Sequence, residues 1–379
     1  MIQPFAFATA TEILFGRGQA AQAAARVAAT GRRVLLVQGA TPARADWLAD
    51  ALALQGCDLL RLSVPCEPDL ALIDAALPQA RAFRADAVVA TGGGAVIDAG
   101  KALAALIPAP RPVTDHLEVV GKGLPLDVVP LPFTALPTTA GTGAEVTRNA
   151  VIGVPEHRRK VSIRDARMLP RLAIVDPALT DHCPRAVTLA SGLDAITQVI
   201  EPFVSPRANA LTDALCRDAI PRGLAAIRRL MEGEDAAARD EMAWVSLCGG
   251  LALANAGLGA VHGLAGPLGG LTGAAHGAIC GALLPHVLAV NRARVADPAR
   301  LEQVGRWVGA AFGVTGFDAA VTALADWSRA AGLPALGAMG IDPAAQQAAA
   351  EAAATSSSMK ANPVALSVDD LTVAMRAAG

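Results

Sequence analysis

The chain has 379 residues, and its 32 Lys and Arg nearly balance its 34 Asp and Glu. No strongly basic field is available to hold nucleic acid or an anionic membrane. Apolar residues make up 53% and charged residues 17%, which excludes a disordered chain and points to extensive burial or a large subunit interface, in a homodimer or larger homo-oligomer.

The length suits two domains, since a domain takes about 150 residues. The start, Met1 to Phe5, lacks the basic and apolar regions of a signal peptide. Six scattered cysteines without a C-x-x-C pair read as reduced thiols, so a cytoplasmic protein is expected. Val34–Val37 is a continuous apolar run, as a strand buried on both faces should be. Residues 42–54 carry helical periodicity, 59–64 read as a strand and 70–83 as a helix. A third strand at 87–90 runs into Gly92-Gly93-Gly94 and a helix over about 97–106. Residues 131–136 and 172–175 are further strands. Alternating strands and helices predict a parallel, Rossmann-like sheet. Beyond about Pro177 helical spacing dominates, at 189–203, 208–230, 237–256 and 301–312. The expected organisation is an α/β domain over 1–180 and an all-α domain over 181–379. Residues 249–281 are poor in charge, but their glycines, histidines and Pro267 read as buried helices rather than a membrane span.

Two loops follow predicted strands. Gly92-Gly93-Gly94-Ala95-Val96-Ile97-Asp98 lets backbone approach a ligand, and the helix that follows presents unpaired N–H groups suited to a pyrophosphate. Taken alone it fits an ordinary tight β–α turn equally well. The second loop, Pro137-Thr138-Thr139-Ala140-Gly141-Thr142-Gly143-Ala144-Glu145-Val146-Thr147, clusters hydroxyls and glycines. Ligands sit at the C-terminal edge of open α/β sheets, so the two loops reinforce each other. In the helical half, Asp194 and Gln198 are four apart and share a helix face amid apolar neighbours. A buried carboxylate needs compensation. His262 and His276 lie in nearly charge-free stretches, and one carboxylate with two imidazoles is a divalent-metal set. Each histidine alone fits a satisfied core residue at least as well.

These motifs, with Lys160, Asp176-Pro177, Gly192-Leu193-Asp194-Ala195, Val261-His262-Gly263, His276-Gly277 and Leu283-Leu284-Pro285-His286-Val287, run in order from about residue 12 to 291. Together they resemble the iron-containing (group III) alcohol dehydrogenase family. That resemblance implies a dehydroquinate synthase-like fold: an N-terminal dinucleotide-binding domain and a helical metal-binding domain. It implies NAD(P)-linked interconversion of small alcohols with aldehydes or ketones, with a divalent metal as Lewis acid. Carried over by position, Gly93, Gly94, Ala95 and Asp98 would meet the pyrophosphate. Thr138, Thr139 and Thr142 would line the cofactor, with Asn149 and Lys160 beside it and Leu179 near the adenine or ribose. Asp194, His262 and His276 match three metal ligands, for Fe²⁺ or Zn²⁺.

Three positions depart from the family pattern. The fourth ligand, usually His, is Gln198, a weaker donor that would hold the metal loosely. A histidine often found four residues after the first metal histidine is replaced by Gly266. The acidic residue that commonly meets the ribose 2′-hydroxyl is replaced by Gly39, with Arg44 near in sequence, which favours NADP over NAD. The alternative is a maleylacetate reductase-like, metal-independent oxo-acid reductase: loss of His at 198 favours it and retention of Asp194 opposes it.

Overall fold

A computed structural model describes residues 3–354 and 356–379. The chain divides into two compact units. Of the described residues, one comprises 9–139 and 144–181; the other comprises 3–8, 140–143, 182–354 and 356–379.

The first unit holds strands β1 (Glu12–Phe15), β2 (Arg33–Gly39), β3 (Asp58–Val64), β4 (Ala87–Gly92), β5 (Phe133–Pro137), β6 (Asn149–Val154), β7 (Arg159–Arg164) and β8 (Leu172–Val175). Its helices are α1 (Ala23–Ala28), α2 (Asp46–Leu54), α3 (Leu70–Ala82), α4 (Gly94–Leu106) and the single turn α5 (Val113–His116). Six strands form one sheet in the order β1-β8-β5-β4-β2-β3, and every pairing is parallel. The apolar run of β2 has a simple cause. Leu35 and Val37 join one core with Ile73, Ile97 and Leu103, whereas Val34 and Leu36 join another with Leu48 and Leu52. Successive side chains leave opposite faces of a strand, and helices cover both faces here, so no position is left for a polar residue.

Two features escape the sequence reading. β1 is an edge strand of four residues with a half-exposed pattern. β6 and β7 pair as an antiparallel hairpin apart from the main sheet, with burial alternating along each strand.

The second unit is helical: α6 (Arg185–Val204), α7 (Ala210–Glu232), α8 (Ala236–Ala256), α9 (Ala260–Thr272), α10 (His276–Arg294), α11 (Ala299–Phe312), α12 (Phe317–Ala330), α13 (Pro343–Ala353) and α14 (Val368–Ala377). One apolar cluster joins them, with Leu193, Ile196, Val199, Ile200 and Phe203 of α6 at its centre. Side chains cap several N-termini: Asn209 on α7, Asp235 on α8 and Ser367 on α14 each accept from early backbone N–H groups. Among the described residues no single helix is long and apolar enough to cross a membrane.

Residues 140–143, expected with the N-terminal domain, cluster instead with the helices. Gly143 has φ +59°, and a Cβ there would lie 2.4 Å from the Gly250 Cα on α8. Only glycine permits both that backbone and that approach. A boundary drawn at one point in the chain cannot express this excursion.

Candidate functional site

Three helices bring the expected metal donors together. Asp194 lies midway along α6, His262 in the first turn of α9, and His276 at the first position of α10. One ligand atom from each of Asp194, His262, His276 and Cys280 lies within 4.8 Å of the others. Asp194 Oδ1 is 3.3 Å from His262 Nε2 and 3.9 Å from His276 Nε2. This oxygen is buried and makes no hydrogen bond. A buried carboxylate oxygen without a donor is costly, and a cation between it and the imidazoles removes that cost. The residues therefore fit a divalent ion. The site is graded in access: the His276 side chain is 32% exposed, against 7% for His262 and 2% for Asp194.

Glu201 supports the cluster from the same helix as Asp194. Its Oε2 lies 2.6 Å from His262 Nδ1, and its Oε1 accepts from the Val261 N–H at 2.8 Å. A carboxylate only accepts, so Nδ1 carries the proton and Nε2 is turned toward Asp194. Burial disfavours charge on His262, yet Cys280, Glu201 and Asp194 outweigh it and raise its pKa well above the usual value. His276 is raised to about 9 against the same penalty, chiefly through Cys280. Burial would raise Asp194, but the adjacent His262 and the charge of His276 hold it below the usual range. Imidazole nitrogens bind a metal only in their deprotonated form, so metal binding here is pH-dependent.

Glu201 and Cys280 were not singled out from the sequence. Both lie at helical spacings from residues that were: Glu201 is seven after Asp194, and Cys280 four after His276. Gln198 is buried, and its amide Nε2 donates to the Gly141 carbonyl at 2.9 Å.

The two loops of the α/β unit meet at neighbouring strand ends. Gly92 of β4 pairs with Pro137 of β5, and Thr138 N–H donates to Gly92 O at 2.9 Å. A Cβ on Gly92 would lie 2.5 Å from Val96, so only glycine fits this turn into α4. A Cβ on Gly93 would meet Thr139 Oγ1 at 3.4 Å, so the glycine loop and Thr139 lie side by side. Gly94 and Ala95 open α4, whose first N–H groups have no intrahelical acceptor. Loop and helix end form a cradle that fits a pyrophosphate. Chain order reverses between β2 and β4, which places Gly39 and Gly92 at the two strand ends flanking the topological switch point. Nothing lies within 4 Å of where a Gly39 Cβ would be.

Other expected cofactor residues are held as follows. Asp98 Oδ2 accepts from Val151 N–H at 3.1 Å and lies beside Lys101; burial pushes its carboxyl up to about 6. Lys101 is buried and donates to Ala144 O, Thr147 Oγ1 and Asn149 O at 2.7, 2.9 and 2.7 Å. Asn149 begins β6, and Lys160 on β7 pairs with Glu67. Leu179 is half-buried in the short turn Pro177–Thr180 after β8. Thr142 lies in the excursion 140–143, which clusters with the helices.

A parallel nucleotide-type sheet and a buried carboxylate–imidazole centre on a helical unit define a two-unit protein with a cofactor cradle and a metal site. Family models agree: residues 10–177 match the iron-containing alcohol dehydrogenase family and residues 188–379 its C-terminal domain. The chain belongs to the iron-containing alcohol dehydrogenase family. It is 36% identical over 246 residues to 4-hydroxybutyrate dehydrogenase of Cupriavidus necator, covering 63% of this chain and 64% of that one, which is less than two thirds of that enzyme's length. It is 32% identical to alcohol dehydrogenase 4 of Schizosaccharomyces pombe over 78% of this chain and 71% of that one. A solved 1,3-propanediol oxidoreductase superposes with TM-score 0.90 at 28% identity, covering all of both chains.

Proposed function

We propose that the protein is a metal-dependent, NAD(P)-linked alcohol dehydrogenase and aldehyde reductase. The observation that carries this is the convergence of Asp194, His262 and His276 around a buried carboxylate oxygen with no hydrogen-bond partner. These three would hold Fe²⁺ or Zn²⁺, with Gln198 beside them as a candidate fourth donor. The ion would supply Lewis-acid polarisation of the substrate's hydroxyl or carbonyl oxygen, and a bound nicotinamide would supply the hydride chemistry.

The chain's own residues do the rest. Glu201 holds the His262 ring so that Nε2 faces the site. The exposed flank at His276 is the side from which a substrate enters. Apolar neighbours on α6 and α9 keep water from the buried side. In the α/β unit, backbone at Gly93, Gly94 and Ala95 would bind the pyrophosphate. Asp98, already committed to Val151 and Lys101, shapes that helix end. Thr138, Thr139, Thr142, Asn149, Lys160 and Leu179 would line the nucleotide. The open space at Gly39 supports NADP, since no carboxylate repels a 2′-phosphate there.

Few aromatics and a near-neutral charge support a small, uncharged alcohol or aldehyde as substrate. Six free cysteines support a cytoplasmic location, and the apolar excess supports a homodimer or larger assembly. Retention of the buried Asp194 supports this reading over a metal-independent, maleylacetate reductase-like one.

The test is turnover of an alcohol and aldehyde panel with NADPH and NADH, before and after chelation and with metal restored. Activity should vanish on chelation, return with Fe²⁺ or Zn²⁺, and fall by at least about a hundredfold in His276→Ala, as for loss of a principal transition-state contact. Full activity in metal-free His276→Ala protein, or selective turnover of maleylacetate, would overturn the proposal.

A further inference from the structure

We propose that the Cys280 thiolate, rather than the Gln198 amide, is the fourth protein ligand of the metal, completing an Asp–His–His–Cys set that selects Zn²⁺ over Fe²⁺. This rests on the metal-dependent reading above and assigns the position that the family pattern left to residue 198.

The geometry carries the assignment. His276 and Cys280 are one turn apart on α10, so their side chains share a face. Cys280 Sγ lies 3.6 Å from His276 Nε2, and His262 Nε2 lies 3.3 Å from Asp194 Oδ1. In a tetrahedral zinc site, with Zn–N about 2.0–2.1 Å and Zn–S about 2.3 Å, neighbouring ligand atoms stand roughly 3.3–3.6 Å apart. Those two edges of the cluster already have these lengths. The third, His276 Nε2 to Asp194 Oδ1, is 3.9 Å and closes by a few tenths of an ångström on binding. Cys280 is fully buried, and the buried Asp194 Oδ1 without a hydrogen-bond partner is a second, independent mark of a cation site.

The chemistry agrees with the geometry. A thiolate is anionic and soft, whereas an amide oxygen is neutral and hard. Two anionic donors, Asp194 and Cys280, both buried, offset both charges of a divalent ion. Gln198 Nε2 donates to the Gly141 carbonyl, which ties α6 to the excursion 140–143. The thiol proton leaves to solvent when the metal binds, so no redox partner is needed. Zinc also tolerates a fifth donor, so four protein ligands do not close the site to substrate.

The test is cobalt substitution of the full-length protein, followed by absorption spectroscopy and competition with a chromophoric chelator. Wild-type protein loaded with Co²⁺ should show a near-ultraviolet thiolate-to-cobalt charge-transfer band beside its visible ligand-field bands. Cys280→Ser should lose the charge-transfer band and weaken Zn²⁺ binding by at least about tenfold, the least expected even for second-shell changes. Gln198→Ala should keep the band. Cobalt bound in wild type without the band overturns the assignment and leaves the metal-dependent reading standing. Loss of the band in Gln198→Ala but not in Cys280→Ser overturns it too. Failure to bind cobalt stoichiometrically overturns both. Should Cys280→Ser not fold, the wild-type spectrum alone decides.

Discussion

Glu201 illustrates what one side chain can settle. It touches no substrate, yet its two oxygens fix the ring of His262 and the backbone of Val261 at 2.6 and 2.8 Å. Replacing it by Gln keeps the shape and removes the charge that holds the imidazole in orientation. Glu201→Gln is expected to weaken Zn²⁺ binding about 10–100-fold with the helical circular-dichroism spectrum unchanged, read by chelator competition. Unaltered affinity would show that His262 is oriented by packing alone. Lys101 makes the complementary point. In a chain with only four lysines, this one is buried and serves three acceptors around the 144–149 segment. It lies in the glycine-loop helix, where the structure gives it a scaffolding job. A compact ammonium with three rotatable donors suits three acceptors gathered around one point.

At the scale of elements, legibility followed burial. β2, β4, β5 and β8 were visible because burial on both faces demands largely apolar runs. β6 and β7 were not, because alternate positions of each are only half-buried and Arg159, Lys160 and Arg164 interrupt the pattern. Their pairing depends on the turn at 155–158, where Arg158 adopts φ +50°.

The same region holds a buried carboxyl whose role is thermodynamic. Glu145 lies beside Lys101, Oε1 has no hydrogen-bond partner, and burial pushes its pKa from 4.5 up to about 7. Between pH 4.5 and 7 the unfolded chain has released a proton that the folded one keeps, so stability falls as pH rises through this window and stays lower above it. Asp98, raised to about 6, acts with the same sign. Glu145→Gln removes its own share. The variant's stability relative to wild type should therefore be greater at pH 8 than at pH 5, by on the order of 1–3 kcal/mol, in urea unfolding. Parallel pH profiles for the two proteins would contradict this account of Glu145.

At the scale of the whole molecule, strand order decides where a nucleotide can lie. Spatial order β3-β2-β4-β5 puts Gly39 and Gly92 on either side of the switch point, although 52 residues separate them in the chain. Coenzyme choice is then a question about Gly39. Gly39→Asp restores a carboxylate in open space, where it would repel a 2′-phosphate and accept from a 2′-hydroxyl. The ratio of kcat/KM for NADPH over NADH should fall at least about tenfold, or ~1.4 kcal/mol. A ratio unmoved by this change would place the ribose elsewhere.

The sequence by itself determined the two kinds of unit, most of the elements, both loops and three of the four clustered donors. These are local matters: period, turn chemistry and residue type along a continuous stretch. It did not reveal that Cys280 faces Asp194 and His262, that residues 140–143 join the helices, or that Glu201 holds a ring 61 residues away. Those follow from which helix faces meet, and that is decided by packing among α6, α9 and α10 rather than by any one segment. The helical periodicity marked Gln198 beside Asp194 correctly, but adjacency on a helix does not say which of two turns points at a metal. Only the meeting of separate chain segments brings the Cys280 sulfur within 4.8 Å of the Asp194 carboxylate and sets Gln198 Nε2 against the Gly141 carbonyl.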